Sequence, residues 1–164
     1  MSFVVPFDGS ELSEAALVRA VEYGTALEED VAAVSLVSER RRYAVEKGWI
    51  EAGEPYDVDA VVDRLRDRVL TLAPDATFEC ERIREYPPEA ELAEHIERLV
   101  LEHDPSAVFF GSENVGRVVT PLTSVGARVA AETSYDVFIV RGTQPPKLDA
   151  LDPHPEFYDD SRAD

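Results

Sequence analysis

Short apolar runs alternate with longer amphipathic stretches along this chain of 164 residues. Phe3-Val4-Val5-Pro6-Phe7 predicts a strand closed by the turn residues Asp8-Gly9-Ser10. Ser10 suits the N-cap of the next helix, whose period places Ala16, Leu17, Ala20, Val21, Gly24 and Leu27 on one face. Residues 31–37 predict a second strand, and residues 38–56 a charged connection. A helix from Val58 to Leu72 then gathers Val58, Val61, Val62, Leu65, Val69 and Leu72. Thr77 to Ile83 reads as a third strand. A helix opened by Pro87-Pro88-Glu89 turns Leu92, Ile96, Leu99 and Val100 inward. Ala107-Val108-Phe109-Phe110 is the fourth strand and stops at Gly111. A polar loop follows, Ser112-Glu113-Asn114-Val115-Gly116-Arg117. A last helix opens at Thr120-Pro121-Leu122-Thr123-Ser124, and Val137-Phe138-Ile139-Val140 is the fifth strand.

Strands separated by helices imply right-handed crossovers and a parallel sheet covered on both faces. The first, fourth and fifth strands carry nearly unbroken apolar runs, as buried parallel strands do. Five strands in this alternation predict an α/β, doubly wound sheet of flavodoxin or nucleotide-binding type. Ligands of such sheets bind beyond the carboxyl ends of the strands. Those ends carry Asp8-Gly9-Ser10, Ser38 onward and Gly111 onward.

The loop after the fourth strand leads to the best candidate chemistry. Thr120 suits an N-cap and Pro121 the first helical position, where a missing N–H costs nothing. The N–H groups of Thr123, Ser124 and Val125 then lack intrahelical partners at the positive end of the helix dipole. A phosphate or other anion is one partner for them; water and the Thr120 side chain are the other. Beyond Arg141, Gly142-Thr143-Gln144-Pro145-Pro146 breaks regular structure. The expected division is therefore an α/β domain over residues 1–142 and a flexible acidic tail over residues 143–164.

Charge narrows the partners. The chain holds 34 acidic and 16 basic residues, a formal net charge of -18. Such a field repels nucleic-acid backbones and anionic membranes alike. The basic residues include only two lysines, Lys47 and Lys147. High acidity with few lysines resembles the proteins of halophilic organisms that keep molar salt in the cytoplasm. No apolar run approaches the roughly 20 residues that cross a bilayer, and no signal peptide pattern opens the chain, so a cytoplasmic protein is expected.

The remaining side chains argue for packing more than for catalysis. The single cysteine, Cys80, lies in the third strand and reads as a packing thiol. His95, His103 and His154 have no metal-site spacing, so no metal is expected. Glu79, Glu81, Asp57, Asp59 and Asp63 read as a solvated acidic surface. Arg40-Arg41-Arg42 reads either as an anion clamp near the crevice or as a solvated loop of surface ion pairs. Tyr43 and Trp49 either cover the crevice or a partner surface, or pack in the core. No nucleophile motif or P-loop is present, and no enzyme is expected.

Two stretches carry a family resemblance. Val4-Val5-Pro6-Phe7-Asp8-Gly9-Ser10-Glu11 resembles the opening strand and turn of the universal stress protein family, and residues 108–141 resemble its closing half. The resemblance implies an adenine-nucleotide alpha hydrolase-like (Rossmann-like) sheet with strand order 3-2-1-4-5. In ATP-binding members the loop after the fourth strand reads Gly-x2-Gly-x9-Gly followed by Ser or Thr. Gly111 matches the first glycine. Asn114 stands at the second, and Thr123, after one deletion, at the third, with Ser124 the hydroxyl residue beyond it. Gly116 and Arg117 lie inside the loop, where backbone freedom and charge offset the lost glycines. The resemblance further implies that Asp8 contacts the nucleoside with Pro6 and Phe7 beside it, and that Leu36 faces the base. It also implies a homodimer paired through the last strand, Asp136, Val137, Phe138, Ile139, Val140 and Arg141. Two functions therefore stand beside each other. One is a stress-type regulatory or protective interaction module with a degenerate nucleotide site. The other is an ATP- or AMP-binding protein, at most a slow ATPase. A flavin or electron-transfer protein would share the architecture but finds no signature here.

Overall fold

β1 (Ser2–Pro6), β2 (Asp30–Ser38), β3 (Thr77–Ile83), β4 (Pro105–Gly111) and β5 (Asp136–Val140) form one sheet in the order β3-β2-β1-β4-β5. All four pairings are parallel. The computed structural model describes residues 2–111 and 135–143. The expected helix start at Thr120, the loop residues Asn114, Gly116 and Arg117, the amides of Thr123, Ser124 and Val125, and nearly all of the tail lie outside them.

Alternation along the strands builds two cores. Phe3, Val5, Phe7, Val31, Ala33, Val37, Ala107 and Phe109 lie in one buried cluster with α1 (Glu11–Leu27) and α3 (Val58–Leu72). The intervening Val4, Val34, Val108 and Phe110 point the other way, against Leu99 and Val100 of α4 (Glu89–Glu102). Helices thus cover both faces, the arrangement that parallel strands require. Each fully buried Val, Leu or Phe side chain contributes about 1.5–3 kcal/mol.

Local chemistry fixes where the helices begin. Ser10 caps α1 by accepting from the Ser13 N–H at 3.3 Å, and Asp57 caps α3 by accepting from the Ala60 N–H at 3.2 Å. The Arg68 guanidinium then clips α3 to α1 with a two-pronged contact to Glu14 at 2.6 and 2.8 Å.

Three expectations need correction. The charged connection holds a short helix, α2 (Arg41–Glu46), in which Tyr43 and Ala44 are buried. Leu27 is 61% exposed rather than on the inner face of α1. The helix stops beside it at Glu28, which takes a left-handed φ of 57°, and the chain turns away into β2. The apolar run of β5 is only partly covered: among the described residues it is an edge strand, and Asp136, Val137, Phe138 and Ile139 are exposed while Val140 is buried.

Candidate functional site

The carboxyl ends of β1, β2 and β4 form the rim on which the candidate residues gather. β1 and β4 are neighbours, and the register Phe3↔Ala107, Val4↔Val108 carries the two chains side by side toward Phe7 and Gly111. Pro6 and Phe7 are both buried and position Asp8 just beyond the sheet. Leu36 is also buried, near the end of β2. The structure thus brings Pro6, Phe7, Asp8, Leu36 and Gly111 to one edge of the sheet.

Asp8 is the most tightly held group on that rim. One carboxylate oxygen accepts the Ser10 N–H at 3.0 Å and closes the turn, which Gly9 completes with a φ of 78°. The other accepts from the Lys47 ammonium at 3.3 Å, with only 16% of the Asp8 side chain and 30% of the Lys47 side chain exposed. Burial by itself would push the Asp8 carboxyl up. The Lys47 charge and hydrogen bonds from Ser10 and Ser13 outweigh that and hold it below the usual carboxylate value of 3.8.

Carbonyl groups past the end of a sheet ladder need donors from elsewhere. Here the segment between β2 and α3 supplies most of them. The Trp49 indole N–H donates to the Asp8 carbonyl at 2.8 Å, the Tyr43 hydroxyl to the Leu36 carbonyl at 3.0 Å, and the Tyr56 hydroxyl to the Ser38 carbonyl at 2.7 Å. The Ser35 hydroxyl donates to the Phe7 carbonyl at 2.5 Å. Tyr43 meets Trp49 and Tyr86 edge-on, with centroids 5.5 and 5.1 Å apart. Tyr43 and Trp49 therefore join core packing to covering the rim. Sequence reasoning missed Lys47 and Tyr56. The available signal was one of two lysines, set among aromatic residues with polar tips, inside a stretch otherwise read only for its charge.

Gly111 has a second reason to be glycine. A Cβ there would lie 2.5 Å from the carbonyl carbon of Leu12 and 2.6 Å from its oxygen, so the start of α1 occupies the space a side chain needs. Close approach of α1 to β4 is enough to require the residue.

The arginine run is not a clamp. Arg40 grips Glu85 at 2.7 and 2.8 Å and Arg42 pairs with Glu46 at 3.0 Å, all at exposed positions. Nearby carboxylates of this acidic chain have neutralised them, as the surface-pair reading has it. The acidic residues of the middle segment are likewise engaged at the surface: Glu79 with His103 at 2.6 Å, Glu81 with Arg98 at 2.5 Å, Asp59 with Arg82 at 2.6 Å and Asp63 with Arg66 at 3.1 Å. Burial pushes the Cys80 thiol up to about 11, which suits a packing role. Among the described residues no group of His, Cys, Asp and Glu has the arrangement of a metal site, and no helix is long and apolar enough to cross a membrane.

Solved structures share this architecture. UspA of Lactobacillus plantarum aligns with a TM-score of 0.51 at 18% identity, covering 86% of this chain and 97% of that one. A hypothetical protein whose biochemical function was assigned from its structure aligns with a TM-score of 0.52, also at 18% identity, covering 87% and 96%. A universal stress protein in complex with cAMP aligns with a TM-score of 0.46 at 22% identity, covering 86% and 97%. Among curated proteins none matches. The model of the universal stress protein family matches residues 1–141, which takes in the whole sheet, the Asp8 turn and the Gly111 strand end. The chain belongs to the universal stress protein family.

Proposed function

We propose that the chain is a cytoplasmic stress-type regulatory module that works as a homodimer, its two copies joined along β5. The observation that carries this reading is the state of that strand. Val137, Phe138 and Ile139 are 38%, 37% and 42% exposed on an edge whose backbone groups have a β-neighbour on one side only among the described residues. An apolar open edge is a liability in a single copy, and two-fold pairing removes it. Asp136 to Arg141 supply the interface. Sedimentation of the full chain and of Ile139→Lys tests the reading. The wild type is expected to sediment as a dimer and the variant as a folded monomer; a monomeric wild type at micromolar concentration would refute it.

A second capacity, adenine-nucleotide binding, is favoured by Asp8 and Gly111 ending neighbouring strands. In this reading Asp8 holds the nucleoside with Pro6, Phe7 and Leu36 around it. Gly111, Asn114, Gly116, Arg117 and the amides of Thr123, Ser124 and Val125 take the phosphates of ATP or AMP. Calorimetry with ATP decides it. Binding tighter than about 10 μM, roughly −7 kcal/mol, and lost in Asp8→Ala would support the nucleotide site. No heat would leave the dimeric interaction module alone.

A further inference from the structure

Both carboxylate oxygens of Asp8 are already engaged. The first oxygen is committed to the Ser10 N–H at 3.0 Å, a backbone bond that shapes the turn and cannot be given up without remaking it. The second is held by Lys47, a side chain 39 residues away that reaches in from just past α2. Two residues further on, Trp49 fastens the same segment to the Asp8 carbonyl. One residue of β1's terminal turn is thus gripped twice by one stretch of the connection, through side chain and through backbone.

We propose that Lys47 is a latch on this site: the segment from Lys47 to Trp49 closes the nucleoside end of the crevice, and a ligand that bonds to the carboxylate oxygen Lys47 holds competes with the ammonium for it. The proposal rests on the reading of Asp8 as a ligand group. The ammonium is the part able to move. It is carried on a flexible four-carbon stem, in a side chain 30% exposed, and is already 5.7 Å from the centre of the Tyr43 ring. A lysine that leaves the carboxylate therefore keeps an attractive resting place over the ring's face. Its opening releases the ion pair and loosens the neighbouring Trp49 contact to the Asp8 carbonyl, while the Tyr43 hydroxyl bond to Leu36 keeps α2 in place. Closed, the latch holds the Asp8 charge neutralised in a setting where only 16% of the side chain meets solvent. The ligand class is a polar molecule with a hydroxyl or amino donor that can replace the ammonium, as a ribose or an adenine edge can.

Adenosine is the right probe because it is uncharged, so that removing a cation does not alter its long-range attraction to an acidic protein. The experiment measures adenosine binding to full-length wild type, Lys47→Met and Lys47→Arg, with Trp49 as the fluorescence reporter, since the chain has one tryptophan. Methionine keeps the stem's packing and removes the charge; arginine keeps the charge and a stronger grip on a carboxylate. Lys47→Met should bind adenosine about tenfold more tightly than wild type, about 1.4 kcal/mol, and Lys47→Arg no more tightly than wild type. Equal or weaker binding by Lys47→Met would overturn the latch, because a bystander or a direct ligand contact behaves that way. A ligand-free arm separates this outcome from failure of the nucleoside reading. Acrylamide should quench Trp49 more in Lys47→Met than in wild type or Lys47→Arg; equal quenching in all three would overturn the latch. Absence of adenosine and ATP binding in every protein would overturn the nucleoside reading, and quenching alone would then decide the closed segment. Lys47→Gln replaces the methionine variant if circular dichroism finds the latter unfolded.

Discussion

Gly111 and Leu12 meet backbone to backbone, with 2.5 Å between the Leu12 carbonyl carbon and the place where a Cβ on Gly111 would stand. This contact seats the first turn of α1 on the end of β4, and through it the Ser10 cap and the Asp8 turn are held against the sheet. Gly111→Ala should therefore cost about 1–3 kcal/mol, because neither main chain can yield easily. Thermal melting would show Tm several degrees lower. An unchanged Tm would mean that α1 does not lie so close.

The Asp8–Lys47 pair predicts a pH dependence with a definite sign. The Asp8 carboxyl is depressed in the folded protein relative to its unfolded value of 3.8. Its contribution is fully present above that value and is lost as pH falls through the lower, folded pKa. Asp8→Asn should be less stable than wild type at pH 7 by about 1.5–3 kcal/mol, the range for hydrogen bonds to charged groups. Below pH 3.8 the gap should shrink toward zero. Parallel urea titrations of the two proteins at several pH values would measure it. A gap that stays constant into acid would remove the ion pair from the stability of this turn.

Much of the fold is legible from periodicity. The helix Val58–Leu72 and the strand Thr77–Ile83 lie where the apolar pattern predicts them, because one buried face imposes a 3.6-residue period on a helix and because turn-forming residues bound the strand. The segment between β2 and α3 was not legible in the same way. Tyr43, Trp49 and Tyr56 act there through a polar tip that seeks a strand-end carbonyl, and that role leaves no period in the sequence. Glycine at 111 was readable as the first glycine of the family's loop pattern, but its close contact with α1 depends on packing between distant segments. Arg40 and Arg42 could be read in the sequence either as a clamp or as surface-paired arginines. Their partners, Glu85 and Glu46, only became evident once the chain was folded.

Salt should stabilise this protein. A formal charge of -18 on 164 residues repels itself, and at about 1 M salt the Debye length falls to roughly 3 Å, which screens that repulsion. Surface pairs such as Arg40–Glu85 weaken under the same conditions, but each contributes only about 0–1 kcal/mol. The net prediction is a melting temperature that rises from dilute buffer to molar potassium chloride. A circular dichroism melt indifferent to salt over that range would contradict it.

The exposed apolar strand Asp136–Val140 gives the most direct test of a homodimeric module. Hydrogen–deuterium exchange of the full chain, followed over a range of protein concentrations, reads that strand itself. In a parallel edge strand alternate amides already bond to β4 while the others face outward. The outward amides should gain protection as concentration rises and lose it in Ile139→Lys, while those of β1 and β2 stay protected throughout. Outward amides of β5 that exchange freely at every concentration, with the core still protected, would contradict the pairing.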